Sequence, residues 1–278
     1  MSAPVAAFVG TTPNIGTTTA AFAAACRMAE RTGKEVGFLC LNLKSAKIHR
    51  YLGLDIPAVT LDSLRPELSS ASLTPQRLRR ACISVPDEPK VHVLAGNLLR
   101  DQAEHYTMEE TEHLLETARQ SFDFVFADGG CYWDNAATIG AVIAADSRVL
   151  CTTPALSHFQ EDGNRWIRQI SPLFGIQPEQ YELLVVQSNW MNGGYRMKEI
   201  EKEVGLAAIG EFRMNESFYR SLDRGQYHRW LKQDADGRVV MDMAADKLAA
   251  RHGLTCKPVM KSQPWYRKLK AHRGELGV

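Results

Sequence analysis

The sequence FVGTTPNIGTTTAAF, residues 8–22, places a turn of small residues between an apolar run and an alanine-rich segment. A strand, turn and helix in this order can direct main-chain N–H groups and a helix N-terminus at a phosphate. The phosphate-binding pattern G-x-x-x-x-G-K-[ST] has a lysine directly after its last glycine. Here Gly16 is followed by Thr17, so the cationic side chain of that pattern is missing.

The features of such a loop that need shape rather than charge are retained. Gly16 permits a sharp approach and Asn14 tolerates a left-handed backbone. Thr18 stands where the pattern has its magnesium-binding hydroxyl, whereas Pro13 has no N–H to contribute. The candidate nucleotide-binding residues of the loop are consecutive: Asn14, Ile15, Gly16, Thr17, Thr18 and Thr19.

The missing lysine has a consequence for affinity. A hydrogen bond to a charged partner is worth about 1.5–3 kcal/mol. Loss of one lysine therefore weakens nucleotide binding roughly ten- to over a hundredfold. Taken alone, the loop also fits a simpler interpretation, in which GTTT at residues 16–19 only caps a helix.

Strands and helices alternate along the rest of the chain. Apolar runs predict strands over residues 4–10, 35–43, 90–96, 122–128, 147–153 and 181–189. Helical patterns follow over residues 18–31, 74–83, 107–120, 135–145, 157–170 and 194–204, with further turns over 216–224 and 240–251. This alternation predicts an α/β fold of three layers, with a doubly wound, mostly parallel sheet and helices on both faces.

Composition restricts the class of protein. The 278 residues carry a formal net charge of +1, which gives no global field that favours nucleic acid or an anionic membrane. Six cysteines without a CxxC pair predict free thiols in a reducing compartment. The N-terminus lacks the pattern of a signal peptide, no segment approaches a membrane span, and the eight histidines form no hydrolase triad. We therefore expect a cytoplasmic protein.

The order of strands, loop and later motifs resembles the deviant-Walker P-loop ATPases, of the SIMIBI type. These include the Min-type division-site ATPases (MinD), the partition ATPases (ParA) and the CpaE/TadZ proteins of Tad-type pilus assembly. Their loop, roughly K-G-G-x-G-K-T-T, aligns with residues 12–19, so that Thr12 and Thr17 replace both lysines. The similarity covers roughly residues 4–250, and residues 73–128 are most similar to the CpaE/TadZ proteins.

The resemblance also implies where magnesium and the attacking water would be held. The family has a strand that ends in D-x-D, and here Cys40 and Asn42 occupy its two acidic positions. Neither residue supplies the negative charge that magnesium prefers. The next family strand ends in an aspartate that contacts magnesium, and FDFVFADGG provides Asp128 at that position. Asp128 is otherwise a strand-end carboxylate at a turn.

Further residues are assigned to the base of the nucleotide. Gln187 or Asn189 stands where the family has a strand-end asparagine that can touch adenine. Arg213 lies in the segment that resembles the closure of the base pocket, where a proline is usual. The resemblance thus implies ATP or ADP with magnesium as ligands, weakly held because both lysines are missing.

We expect a P-loop-like domain over residues 1–256 and a basic, aromatic tail over residues 257–278. The domain is expected to act without effective ATP hydrolysis, as a homodimeric positioning or assembly factor for a Tad-like pilus or secretion machine. In the tail, residues 265–270, from Trp265 to Lys270, resemble a weak membrane- or partner-binding element, and a solvated tail is the alternative. Two rival functions stay open: an ATPase that uses Arg213, Lys44 or Lys47 as its cation, and a nucleoid-binding partition protein, which the net charge disfavours.

Overall fold

The computed structural model describes residues 2–188 and 194–257. Its centre is an eight-stranded sheet in the order β3-β4-β2-β5-β1-β6-β7-β8. All neighbouring strands are parallel except β3, which is antiparallel to β4. The strands are β1 (Val5–Gly10), β2 (Val36–Cys40), β3 (Ile83–Val85), β4 (Glu88–Leu94), β5 (Phe124–Gly130), β6 (Ser147–Thr152), β7 (Tyr181–Ser188) and β8 (Ala208–Met214).

Helices cover both faces of this sheet. Within the described residues they are α1 (Thr17–Thr32), α2 (Ile48–Tyr51), α3 (Leu61–Ser69), α4 (Pro75–Ala81), α5 (Met108–Ser121), α6 (Ala136–Ala144), α7 (Met197–Val204), α8 (Glu216–Asp223), α9 (Tyr227–Gln233) and α10 (Asp242–Arg251). Alternate side chains of each strand enter opposite cores: Phe8 and Phe126 pack under α1 and α10, while Ala7 and Ala127 face α5 and α6. The predicted three-layer, doubly wound, mostly parallel sheet is confirmed.

Local signals placed many of these elements correctly. Thr107 caps α5, and Glu110 completes the predicted capping box by accepting from the Thr107 N–H at 3.1 Å. All six cysteines are free, as their spacing predicts. None of the described helices is long and apolar enough to cross a bilayer.

The predicted helix over residues 157–170 is present, but its turns are wider than those of an α-helix. The structure has two wider, π-helical stretches there, Ser157–Gly163 and Arg165–Ile170. This segment contacts the loop that follows β1: a Cβ at Gly163 would lie in ordinary van der Waals contact with Thr11 Cγ2, at 3.4 Å. Wide turns of this kind are frequent next to functional sites, and this one lies against the loop that follows β1.

Candidate functional site

The loop between β1 and α1 lies at the carboxyl edge of the sheet, beside the ends of β5 and β6. Gly16 has φ +96° and Asn14 has φ +60°, so the chain turns through two left-handed residues before α1 begins. Within the described residues, the main-chain N–H groups from Asn14 to Thr19 donate no hydrogen bond, and the first helical bond runs from Ala20 N to Gly16 O. These adjacent free donors at a helix N-terminus form a cradle suited to an anion.

The threonine hydroxyls of the loop are directed at the protein rather than at this cradle. Thr12 Oγ1 donates to Asp162 Oδ2 at 2.5 Å, which ties the loop to the π-helical segment. Thr19 Oγ1 donates to Gly16 O at 2.8 Å. Thr17 is 7% exposed, and its Oγ1 would lie 2.6 Å from a Cβ placed on Gly10, so it packs over the end of β1. The amides are therefore not occupied by the loop's own side chains.

Asp128 lies near the carboxyl end of β5, directly below the loop. Its side chain is fully buried and accepts hydrogen bonds at Oδ2 from Thr18 Oγ1 at 2.7 Å and from Cys40 Sγ at 3.8 Å. Its Oδ1 has no hydrogen-bond partner among the described residues. Burial raises the pKa of Asp128 to about 7, against the lowering effect of the Thr18 and Cys40 hydrogen bonds. A proton or a cation is therefore favoured at this carboxylate.

Asn42 completes the polar group beside Asp128. Its Nδ2 donates to Thr18 Oγ1 at 3.4 Å, and its buried Oδ1 has no partner among the described residues. The amide lies against Gly130, which has φ +70° and on which a Cβ would be 2.5 Å from Asn42 Oδ1. Only glycine fits this position without displacing Asn42.

These side chains fit a magnesium ion in their chemistry. Thr18 Oγ1, Asn42 Oδ1 and Asp128 Oδ1 are hard oxygen atoms, which magnesium prefers, and the last two have no hydrogen-bond partner among the described residues. Asp128 provides the single negative charge. No cluster of three or more histidine, cysteine, aspartate or glutamate side chains suited to a metal occurs in the described part of the chain. A metal held here would therefore depend on added ligand oxygens, such as those of a phosphate.

A cleft of about 150 Å³ opens above the cradle. Sites for drug-sized ligands usually measure about 300–1,000 Å³. One wall consists of Met214 at the end of β8 with Phe218, Tyr219 and Leu222 of α8. Met214 Sδ would lie 2.9 Å from a Cβ on Gly16, so this wall presses against the loop. The space accommodates a phosphate, and a whole nucleotide requires the Met214 wall to move.

Cations are scarce around the cleft. Of the described residues that line it, Lys47 is the only lysine or arginine, and it is exposed. Lys44 is instead engaged with Asp134 and Glu104, and its ammonium lies 5.5 Å from the centre of the Tyr132 ring. A ligand in the cradle would therefore meet main-chain N–H dipoles and, among the described side chains that line the cleft, one lysine ammonium at its edge.

Some predicted site residues lie away from this cleft. Arg213 points outward, is 74% exposed and pairs with Glu211 through an Nε–Oε1 distance of 2.9 Å. Gln187 is its register partner on β7 and does not line the cleft. Asn189 lies outside the described residues, as does the tail segment from Trp265 to Lys270. The strand alternation that turns Arg213 outward turns Met214 toward the loop, which sequence reasoning missed.

A second aromatic group lies beside the loop that follows Asp128. Trp133 stacks on the buried Trp166 of the π-helical segment, with ring centres 4.7 Å apart and planes 16° apart. The Arg165 guanidinium lies 6.0 Å from the Trp133 ring, and that of Arg100 lies 5.7 Å from the Tyr132 ring. The loop from Cys131 to Asn135 is therefore anchored to neighbours on both sides.

No protein-family model matches the sequence, and no curated protein matches it. Similarity appears among solved structures. A ParA family ATPase from Chlorobium tepidum aligns with a TM-score of 0.74 at 16% identity, over 87% of this chain and 98% of that one. MinD with Mg-ADP from Pyrococcus horikoshii aligns with a TM-score of 0.73 at 14% identity, over 93% and 100% of the two chains. The MinC:MinD complex of Aquifex aeolicus gives a TM-score of 0.72 at 14% identity, over 94% and 99%. The chain therefore has the fold of the MinD/ParA P-loop ATPases.

Proposed function

We propose that this chain is a MinD/ParA-like protein that has lost effective ATP hydrolysis and acts by binding. It holds Mg-ATP only loosely and serves as a positioning or assembly factor. One observation carries the proposal: the loop keeps free main-chain donors from Asn14 to Thr19, while the side chains at Thr12 and Thr17 are neutral and turned into the protein.

Hydrolysis requires more than a cradle. Phosphoryl transfer depends almost entirely on positioned charge and on an oriented water. Cys40 is fully buried, and burial together with the Asp128 charge raises the pKa of its thiol far above neutral pH, so it cannot serve as a base. Asn42 is an amide without basicity. Cys40 and Asn42, which stand at the positions that would orient and deprotonate the attacking water, therefore provide no carboxylate.

Loose binding is supported by the groups that are retained. Main-chain amides at the start of α1 would contact phosphate oxygens, and Thr18, Asn42 and Asp128 would hold magnesium. Magnesium would bridge phosphate oxygens and neutralise part of their charge. Without the two lysines, the affinity is expected to be weaker by roughly tenfold or more for each lost charged contact.

Isothermal calorimetry with Mg-ATP tests loose binding. We expect weak binding that needs magnesium and is reduced further in Asp128→Ala. The matched control is Asp55→Ala, whose exposed carboxylate pairs with Arg50 on α2 and does not line the cleft. Tight binding, or weak binding that Asp128→Ala leaves unchanged, would refute the assignment of this site.

The partner is proposed to be an envelope machine of the Tad pilus or secretion type, with the chain as a homodimer. The similarity of residues 73–128 to the CpaE/TadZ proteins supports this. The stacked Trp133 and the half-buried Tyr132, directly after the Asp128 strand, offer an aromatic surface beside the site. Co-purification of the chain with its pilus or secretion neighbours tests the partner, and Trp133→Ala is expected to reduce recovery.

The tail adds a membrane proposal that rests on its composition alone. Residues 265–270 combine aromatic and basic side chains, which favour a weak contact with anionic lipid. Co-sedimentation with vesicles of anionic and neutral lipid, using the full chain and a variant that ends at residue 256, tests it. Equal sedimentation of the two proteins would exclude this role.

A second candidate function, a working ATPase with an unusual cation, is favoured by Lys47. This lysine lines the cleft and forms no ion pair with a described residue. If Lys47 reaches the phosphates, Lys47→Met abolishes ATP turnover and weakens ATP binding at least tenfold. Retention of binding in Lys47→Met would exclude this mechanism, because no other lysine or arginine lines the described cleft.

A further inference from the structure

In the part of the chain that the structure describes, the last strand of the sheet, β8, has a neighbouring strand on one side only. On its outer side, Ala208 alone forms hydrogen bonds with described residues: its N–H donates to Glu201 Oε1 at 2.7 Å, and its C=O accepts from Lys247 Nζ at 2.7 Å. Within the described residues, the main chain from Ile209 to Met214 forms no hydrogen bond outside the ladder with β7. Because main-chain groups alternate in direction along a strand, part of this edge presents free donors and acceptors.

A groove of about 530 Å³ accompanies this edge, and its lining mixes apolar side chains with the polar Glu211, Arg213, Asn215 and Asp236. Met197 of α7 lies at one side, and Val239, Met243 and Ala244 lie at the other. Val239 is 64% exposed and Met243 is 52% exposed, although both are apolar. An added strand would cover these side chains while it satisfies the free main-chain groups.

The charges on β8 are complementary to the same strand in reverse. Glu211 and Arg213 are two residues apart and lie on one face, whereas Phe212 between them is buried in the core. In an antiparallel pairing centred on Phe212, Glu211 is opposite the partner's Arg213, and Arg213 is opposite the partner's Glu211. Opposite charges at such cross-strand positions are favourable, and like charges are unfavourable.

We propose that two copies of this chain join through their β8 edges, antiparallel about Phe212, so that two eight-stranded sheets form one continuous sheet. The occupant is a second copy because one strand supplies both members of each charge pair, as a two-fold symmetric interface requires. The contact needs no nucleotide. It names an interface for the homodimer proposed above and lies apart from the nucleotide site, so this interface and the loss of hydrolysis can fail separately.

Sedimentation equilibrium of the full chain without nucleotide or magnesium tests the interface. We expect a concentration-dependent dimer. Glu211→Arg or Arg213→Glu alone places like charges opposite each other at both symmetric positions of the dimer. Either variant should raise the dissociation constant of the dimer about tenfold or more. The double variant E211R/R213E restores both pairs and should return the constant to within about threefold of the wild-type value.

Arg220→Glu is the matched control, since Arg220 is an exposed arginine that pairs with Glu216 on α8, away from the β8 edge. It should leave the dimer unchanged. A second readout uses chains with Glu211→Cys and Arg213→Cys: mixed under oxidation they should cross-link, whereas each alone should not. The proposal would be overturned if the wild type stayed monomeric at all concentrations, or if it dimerised only with Mg-ATP. Equal dissociation constants for the single and double variants would also overturn it.

Discussion

The Thr18 hydroxyl donates a hydrogen bond to Asp128 Oδ2 at 2.7 Å, so two of the three residues assigned to magnesium contact each other directly. The other carboxylate oxygen of Asp128 is buried without a partner among the described residues. A buried carboxylate in this state is stabilised by a proton or by a metal ion. Proton binding and magnesium binding are therefore expected to compete at Asp128.

Asp128 should make stability depend on pH. Burial raises its pKa to about 7 in the folded protein, whereas an aspartate in an unfolded chain titrates near ~3.9. Between these values the folded state binds more protons, so the contribution of Asp128 to the free energy of unfolding falls as the pH rises. The fall amounts to about 3 kcal/mol from pH ~4 to pH ~7.

Urea denaturation of the wild type and Asp128→Asn at several pH values measures this contribution. The difference between the two proteins removes the effect of other groups, such as Glu88, whose pKa burial also raises to about 7. The variant should gain stability relative to the wild type as the pH rises. Magnesium at pH 8 should stabilise the wild type more than the variant, and a difference that does not change with pH would refute a protonated Asp128.

Restoring the missing cation should restore affinity. Thr17→Lys places an ammonium at the start of α1, and a charge-assisted hydrogen bond to phosphate should tighten Mg-ATP binding roughly ten- to over a hundredfold. Thr17→Met is the matched control, with similar length and no charge. Calorimetry should show a gain for the lysine variant alone. Equal affinities for the two variants would mean that the loop does not shape a phosphate site.

The contact between Asn42 and Gly130 should be sensitive to one methyl group. Gly130→Ala imposes a left-handed alanine, which costs about 1–2 kcal/mol, and drives its Cβ into the Asn42 amide. Gly175→Ala is the control, because Gly175 has φ +76° and no atom of the described residues lies within 4 Å of its Cβ position. In urea denaturation, Gly130→Ala should lose about 1 kcal/mol or more of unfolding free energy beyond the loss in Gly175→Ala.

Adding Asn42→Ala to the Gly130→Ala variant should remove most of this difference, because it takes away the atoms that the new methyl group meets. Additive losses in the double variant would instead mean that Asn42 does not occupy the position beside Gly130.

The sequence predicts much of the fold because its signals are local. Apolar runs such as FVFA in β5 indicate strands buried on both faces, and the Thr107 cap with Glu110 marks the start of α5. The convergence of the loop, Cys40 and Asp128 also follows, since the carboxyl ends of neighbouring parallel strands meet at one edge.

Other features depend on contacts that no local pattern encodes. Arg213 of the edge strand β8 is an example, because the sequence places it in the segment that closes the base pocket. The direction of its side chain depends on the register of β8 with β7, which the sequence does not encode locally. The bond from Thr12 to Asp162 joins residues far apart in sequence. The wide π-helical turns lie against the same loop, and the apolar pattern of residues 157–170 does not distinguish them from an α-helix.

A phosphate-release assay with magnesium and ATP measures the proposed loss of hydrolysis itself. We expect no release above background for the wild type, and no further change in Asp128→Ala. Sustained turnover in the wild type that Asp128→Ala abolishes would contradict the loss of hydrolysis proposed here.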